Sequence, residues 1–179
     1  MLVVSADAGT VWVANMESDT VGRIDLATGA VIQAPAGEAP EGIALSRDES
    51  ELWVSARESD TVHVFDAQTL VPLAELDEVG EFPLRLVISP DGAFAVTSDL
   101  ASGSLSVIDT ATRETVRTIR LDEGRRVNQV TILFSQDGKR LYVAETGQDR
   151  VAEIDFASGE VLRRFAVGDQ GDGLALVGR

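Results

Sequence analysis

The sequence predicts an all-β fold, a β-propeller of four four-stranded blades followed by the inner strand of a fifth. Three observations predict it. One short pattern recurs four times along the 179 residues. Each copy holds four β-type runs separated by turn residues, and nothing reads as an amphipathic helix. A period in the forties with four strands per unit is the signature of a propeller blade.

The repeat is legible at four registers. Ser18-Asp19-Thr20-Val21 recurs as Ser59-Asp60-Thr61-Val62 and loosely as Gln148-Asp149-Arg150-Val151. Ile24-Asp25 recurs as Phe65-Asp66, Ile108-Asp109 and Ile154-Asp155. Trp12-Val13 aligns with Trp53-Val54, Ala95-Val96 and Tyr142-Val143. Ser89-Pro90-Asp91-Gly92 has relatives beginning at Ser5, Ser46 and Ser135. In the second unit the predicted strands are 42–46, 52–55, 61–66 and 71–76. Glycine, serine and aspartate separate them, residues that close hairpins because they tolerate left-handed turn conformations. The units run approximately over 1–41, 42–83, 84–128 and 129–172, with 173–179 starting a further blade.

Spacing localises the variation. From the serine ending the first strand to the aspartate ending the third, every unit counts twenty residues: Ser5 to Asp25, Ser46 to Asp66, Ser89 to Asp109, Ser135 to Asp155. From that aspartate to the next serine position the counts are 21, 23, 26 and 22, the last ending at Val177. Insertions in repeat folds collect on one face, often the binding face, so the crossovers at 36–42, 77–85, 122–130 and 168–173 are where a ligand is sought.

Composition narrows the partners. Hydrophobic residues make up 44% and charged residues 25%, an ordinary balance for a folded chain. A formal net charge of −15 argues against nucleic acid and anionic lipid, which need a basic footprint. Lys139 is the single lysine among fifteen basic residues, a bias that suits either a halophile or a GC-rich genome. With no cysteine, disulfides, thiolate metal sites and cysteine nucleophiles are all excluded. Met1 leads straight into Leu2-Val3-Val4-Ser5, so no signal peptide is visible. No apolar run approaches the ~18 residues of a membrane helix, and no membrane insertion is expected.

At Val11-Trp12-Val13-Ala14-Asn15, Ser18-Asp19-Thr20-Val21, Ile24-Asp25-Leu26-Ala27-Thr28-Gly29 and Pro40-Glu41-Gly42-Ile43-Ala44 the chain resembles the YVTN family of β-propeller repeats, related to WD40-like repeats. Leu141-Tyr142-Val143 carries the signature most literally. The third unit departs most, with Ser102-Gly103-Ser104-Leu105 in place of Ser-Asp-Thr-Val. The resemblance implies a larger parent protein, secreted, periplasmic or cell-surface. It is unspecific for function, since similar propellers serve as surface proteins, lactonase-like enzymes, and haem- or quinone-linked redox domains.

Met1–Ser5 and Gly173–Val177 both align with the innermost-strand slot of 42–46, which a closed four-blade ring fills once. An open arc from a larger ring is expected. A closed four-blade ring with a displaced end, or chains completing a ring together, are the alternatives. Open blade ends would self-associate.

Among candidate residues, Asp25, Asp66, Asp109 and Asp155 stand before turns and recur in every unit, so a structural role as turn acceptors is expected. Asp7, Asp48, Asp91, Asp137, Asp19, Asp60 and Asp149 are read the same way. His63, the single histidine, is placed on an outer strand away from the variable loops, where it cannot assemble a multi-histidine or haem site. Trp12, Trp53 and Tyr142 share a register and are expected to pack between blades. The ligand-binding candidates are Glu41, Arg85, Arg125, Arg126, Gln129 and Asp172, in the channel-face loops, where arginine suits a carboxylate or phosphate. Asp169-Gln170-Gly171-Asp172-Gly173 has too few ligands for a calcium loop. No catalytic residue, metal site or cofactor is expected from these residues. The function expected is a non-catalytic scaffold for a protein or small polar ligand, with a segment of a propeller enzyme as the alternative.

Overall fold

The computed structural model describes residues 1–121 and 128–176. Four antiparallel sheets follow one another along the chain, each with its strands in sequence order. Blade 1 holds β1 (Leu2–Val4), β2 (Thr10–Asn15), β3 (Thr20–Asp25) and β4 (Val31–Pro35). Blade 2 holds β5 (Pro40–Leu45), β6 (Glu51–Ala56), β7 (Thr61–Asp66) and β8 (Pro72–Leu76). Blade 3 holds β9 (Pro83–Ile88), β10 (Phe94–Asp99), β11 (Ser104–Asp109) and β12 (Glu114–Arg120). Blade 4 holds β13 (Gln129–Phe134), β14 (Arg140–Glu145), β15 (Arg150–Asp155) and β16 (Val161–Ala166). The first strands touch in series, β1 to β5 to β9 to β13, and so surround the axis. No comparable contact joins β13 to β1 among the described residues, and the propeller is an open arc.

Burial explains the strand sequences. In blade 2, packed on both faces, β6 is buried almost throughout, whereas β2 of blade 1 alternates because one of its faces is uncovered. Three apolar clusters are the blade interfaces. Trp12, Ala14 and Val21 meet Leu52, Val54 and Phe65; Trp53 and Val64 meet Ala95 and Ile108; Val96 and Val107 meet Leu141 and Ile154. On the open side of blade 1, Leu2, Val4 and Val31 are 58%, 43% and 56% exposed, leaving an apolar sheet face without a blade against it.

Each hairpin between first and second strands is closed the same way. Ser5, Ser46, Ser89 and Ser135 donate their hydroxyls to Asp7, Asp48, Asp91 and Asp137 at 2.6–2.7 Å. Each serine oxygen also accepts the N–H five residues on, at 2.9 Å. These serine hydroxyls are the chief reason the four carboxyls lie below their ordinary range, Asp48 at about 2. At the other turn, Asp25, Asp66, Asp109 and Asp155 accept backbone N–H groups two to three residues on. The recurrent aspartates are turn acceptors, as their repetition suggested.

One sequence expectation is corrected. The pairing register matches Trp12 (opposite Arg23) and Trp53 (opposite Val64) with Val96 (opposite Val107), not with Ala95. Ala95 faces Ile108 and so occupies the place of Val11 and Leu52. The twenty-residue spacing carries this register, and the apparent Ala95-Val96 match was one residue out of phase. Of the segment 173–179, expected to start a further blade, residues 173–176 are not paired as a strand and 177–179 lie outside the described residues.

Candidate functional site

The crossovers and the turns between second and third strands share one end of the arc. Asp19, Asp60 and Asp149 occupy those turns in left-handed conformation, with φ of 56°, 55° and 52°. Each carboxylate accepts a backbone N–H from the following crossover: from Ala39 at 2.9 Å, Phe82 at 2.7 Å and Gln170 at 2.7 Å. In blade 3 the corresponding residue is Gly103, which keeps the turn (φ 69°) but has no carboxylate. The link is remade with a side chain supplied by the following blade. Gln129 donates its amide to Asp99 O at 2.6 Å and Ser104 O at 2.9 Å, and the Ser98 hydroxyl donates to Val130 O at 2.8 Å.

Beneath each turn lies a polar plug, solvent-accessible in blade 1 and deeper in the blades that follow. Ser18 with Thr20, Ser59 with Thr61, and Ser102 with Ser104 are hydroxyl pairs at 2.8–3.0 Å. Their added partner differs by blade. It is Asn15 in blade 1, His63 in blade 2 (Thr61 Oγ1 to Nε2, 3.0 Å) and Asp99 in blade 3. His63 is therefore beside a crossover rather than away from it. A Cβ on Gly37 would fall 2.6 Å from its Nε2, so the crossover backbone lies directly against the ring. Burial holds the imidazole below its ordinary value, with Glu75 acting the other way. Recurrence of the hydroxyl pair in three blades makes this a structural plug. In blade 4 the plug is ionic: fully buried Glu145 pairs with Arg150 and with Arg164 at 2.9 Å, and Arg164 also donates to Leu121 O at 2.6 Å.

Asp99 is the unusual acid. It is fully buried, and desolvation pushes its carboxyl up to about 6 despite hydroxyl donors from Thr97 and Ser106 at 2.6 and 2.7 Å. Because the folded value lies above the ordinary 3.8, the associated stability is present below pH 3.8 and lost as pH rises through 6. The loss amounts to about 3 kcal/mol. Urea unfolding at pH 4 and pH 7.5 measures it: the fall across that window is expected to be smaller in Asp99→Asn by about that amount. An equal fall in both proteins contradicts this placement of the charge.

The sequence-predicted ligand residues do not form one ring. Glu41 and Arg85 come together on neighbouring inner strands, β5 and β9, with Arg85 donating to Glu41 at 2.5 Å. They stand on strands rather than in loops, since Pro40 and Pro83 begin those strands, the position a sheet allows proline. Arg57, which sequence reasoning missed, approaches the same carboxylate at 3.0 Å and lies over the Phe82 ring at 5.0 Å. The three side chains are 18–25% exposed. Gln129, also a strand residue, is fully buried between blades 3 and 4 and takes no place on the rim. Asp172 stands by itself, accepting the Thr131 hydroxyl at 3.2 Å. Arg125 and Arg126 lie outside the described residues. At the hairpin end the four inner strands enclose a cavity of about 710 Å³, which Leu176 also lines. Among the described residues no three His, Cys, Asp or Glu side chains are placed to hold a metal, and no helix is long and apolar enough to cross a membrane.

Comparison with known proteins supports the architecture. No protein-family model matches the chain, and no curated protein does. Solved structures match well. Hydrazine synthase from Kuenenia stuttgartiensis is 31% identical, with a TM-score of 0.82 over 96% of this chain and 49% of that one. A candidate 6-phosphogluconolactonase from Bacteroides uniformis is 19% identical, with a TM-score of 0.81 over 97% of this chain and 59% of that one. A catalytically inactive virginiamycin B lyase from Staphylococcus aureus, solved with quinupristin, is 18% identical, with a TM-score of 0.77 over 93% and 54%. This chain spans about half the length of the structures it matches. The fold is that of a β-propeller.

Proposed function

We propose that the chain is part of a larger β-propeller whose crossover face binds an anionic or polar group, on a small ligand or on a protein, without chemistry in these residues. The observation that carries this reading is the convergence of Arg57 and Arg85 from two blades on the single carboxylate of Glu41. With Glu58 standing 3.8 Å from Arg57, the cluster is balanced in charge at the partly exposed mouth of the channel, on a chain of net charge −15. Two guanidinium forks beside one carboxylate retain donors for a second carboxylate or a phosphate. The YVTN resemblance adds that the parent protein is extracytoplasmic, and the open apolar face of blade 1 is the surface through which further blades or other copies associate.

Citrate serves as a probe of the cluster. A saturable shift of the Arg57 and Arg85 guanidinium signals in NMR is expected, weakened at least fivefold by Arg85→Gln combined with Arg57→Gln. Unchanged citrate binding in the double variant sinks the reading. A second reading, a segment of a propeller enzyme, is supported by the names of the three matched proteins, each twice as long or nearly so. It requires catalytic residues in blades outside this sequence. A full-length parent whose further blades bring no acid, base or metal ligand to the channel would exclude it.

A further inference from the structure

Two of the three blade interfaces place an indole at the same level. Trp12, between blades 1 and 2, is 1% exposed and donates its Nε1–H to Ala67 O at 2.8 Å. Trp53, between blades 2 and 3, is fully buried and donates to Glu51 at 3.1 Å. Between blades 3 and 4 the same register holds Val96, a side chain several carbons smaller. The carbonyl equivalent to Ala67 O is that of Phe156, and it accepts Arg117 Nη2 at 2.6 Å instead of an indole N–H. Phe94 and Phe156 enter from neighbouring positions and meet edge to face at 5.6 Å. A recess of about 680 Å³ opens beside this position, with Phe94, Val107, Val116 and Phe156 as its apolar walls; Val96 itself is buried behind Val107, its cross-strand partner. This volume is within the range of small-molecule sites.

We propose that this recess, on the hairpin side and separate from the crossover cluster, is a binding site for an uncharged planar aromatic molecule of about indole size. The chain itself shows which shape fits that level of a blade interface, because it fills the other two with indole. Charge around the mouth favours a neutral ring. Arg140 is paired with Asp155 at 2.5 Å, and Lys139 stands 4.0 Å from Asp137. Arg117 spends its donors on the carbonyls of Phe156 and Ala157 while lying over the Phe156 ring at 5.1 Å. The walls offer two aromatic edges and two aliphatic faces, which suit stacking and burial of a flat ring.

Indole is the probe. Titrated into the protein and followed by NMR, it is expected to give saturable shifts confined to Phe94, Val107, Val116, Arg117 and Phe156. Val96→Trp places the residue that its two counterparts already carry directly beside Val107, on the wall of the recess, and should weaken indole binding at least tenfold by crowding it. Should that variant fail to fold, Val116→Asp provides the second arm. Val116 is 54% exposed, so the substitution places a carboxylate at the mouth without touching the core, and the same tenfold loss is expected. Absence of saturable shifts up to the solubility of indole overturns the proposal. So does binding undiminished in the folded variants.

Discussion

Replacing Glu145 with alanine is expected to destabilise the protein by about 3–5 kcal/mol, the range for breaking a buried ion pair by removing one partner. Glu145 ends β14 with no solvent exposure, and the guanidinium groups of Arg150 and Arg164 both converge on it. Without the carboxylate two cations face each other inside blade 4. The anchor from Arg164 to Leu121 O, where blade 3 leads into its crossover, then loses its counter-charge. Glu145→Gln separates charge from shape, since the amide keeps an acceptor but leaves the guanidinium groups uncompensated, and most of the loss is expected to remain. Urea midpoints at unchanged m-value measure both variants. A loss below about 1 kcal/mol for Glu145→Ala would be the value of a surface pair and would contradict the burial.

Trp12→Ala is expected to cost about 3–5 kcal/mol, because it opens a cavity between blades 1 and 2 that their packed strands cannot collapse to fill. The side chain sits in the cluster of Leu52, Val54 and Phe65. Trp12→Phe isolates the polar share. It keeps a ring in the interface but strands the buried Ala67 carbonyl, at a cost of about 1–2 kcal/mol beyond the lost area. Trp53→Phe lacks that second penalty, since its N–H partner is the partly exposed Glu51 carboxylate, which water can reach. The contrast between the two phenylalanine variants is the sharper measurement. Equal losses would show that the Ala67 carbonyl finds another donor.

Architecture was legible because a propeller writes the same instructions repeatedly. The Ser-x-Asp hairpins, the aspartates before the second turns and the aromatic register each appeared several times, so one ambiguous copy was corrected by the others. Even the misaligned Ala95 could have been placed by counting from Ser89. The site was less legible because side-chain destination depends on neighbours that sequence order does not show. Gln129 takes the register of Pro40 and Pro83, one residue ahead of that of Glu41, and is fully buried in a blade interface, whereas Glu41 meets two arginines at the rim. Arg57 was overlooked because it lies in a turn of constant length, outside the variable crossovers. A signal was present for Gln129: the unit with glycine in place of the turn aspartate is the unit whose successor begins with an amide side chain.

The aspartate links also bear on how such a chain assembles and how it grows. Each spans only 20–22 residues, joining a turn to the crossover that follows its blade. Contacts this local close cheaply, so folding can begin in any blade and spread to its neighbours without waiting for distant ends to meet. Each unit thus carries its own clasp to its successor. Copying one unit copies the joint as well, and the number of blades can change by whole units while every existing interface stays intact. Gly103 and Gln129 mark a joint made differently on both sides, so blades 3 and 4 are a pair that cannot be exchanged independently.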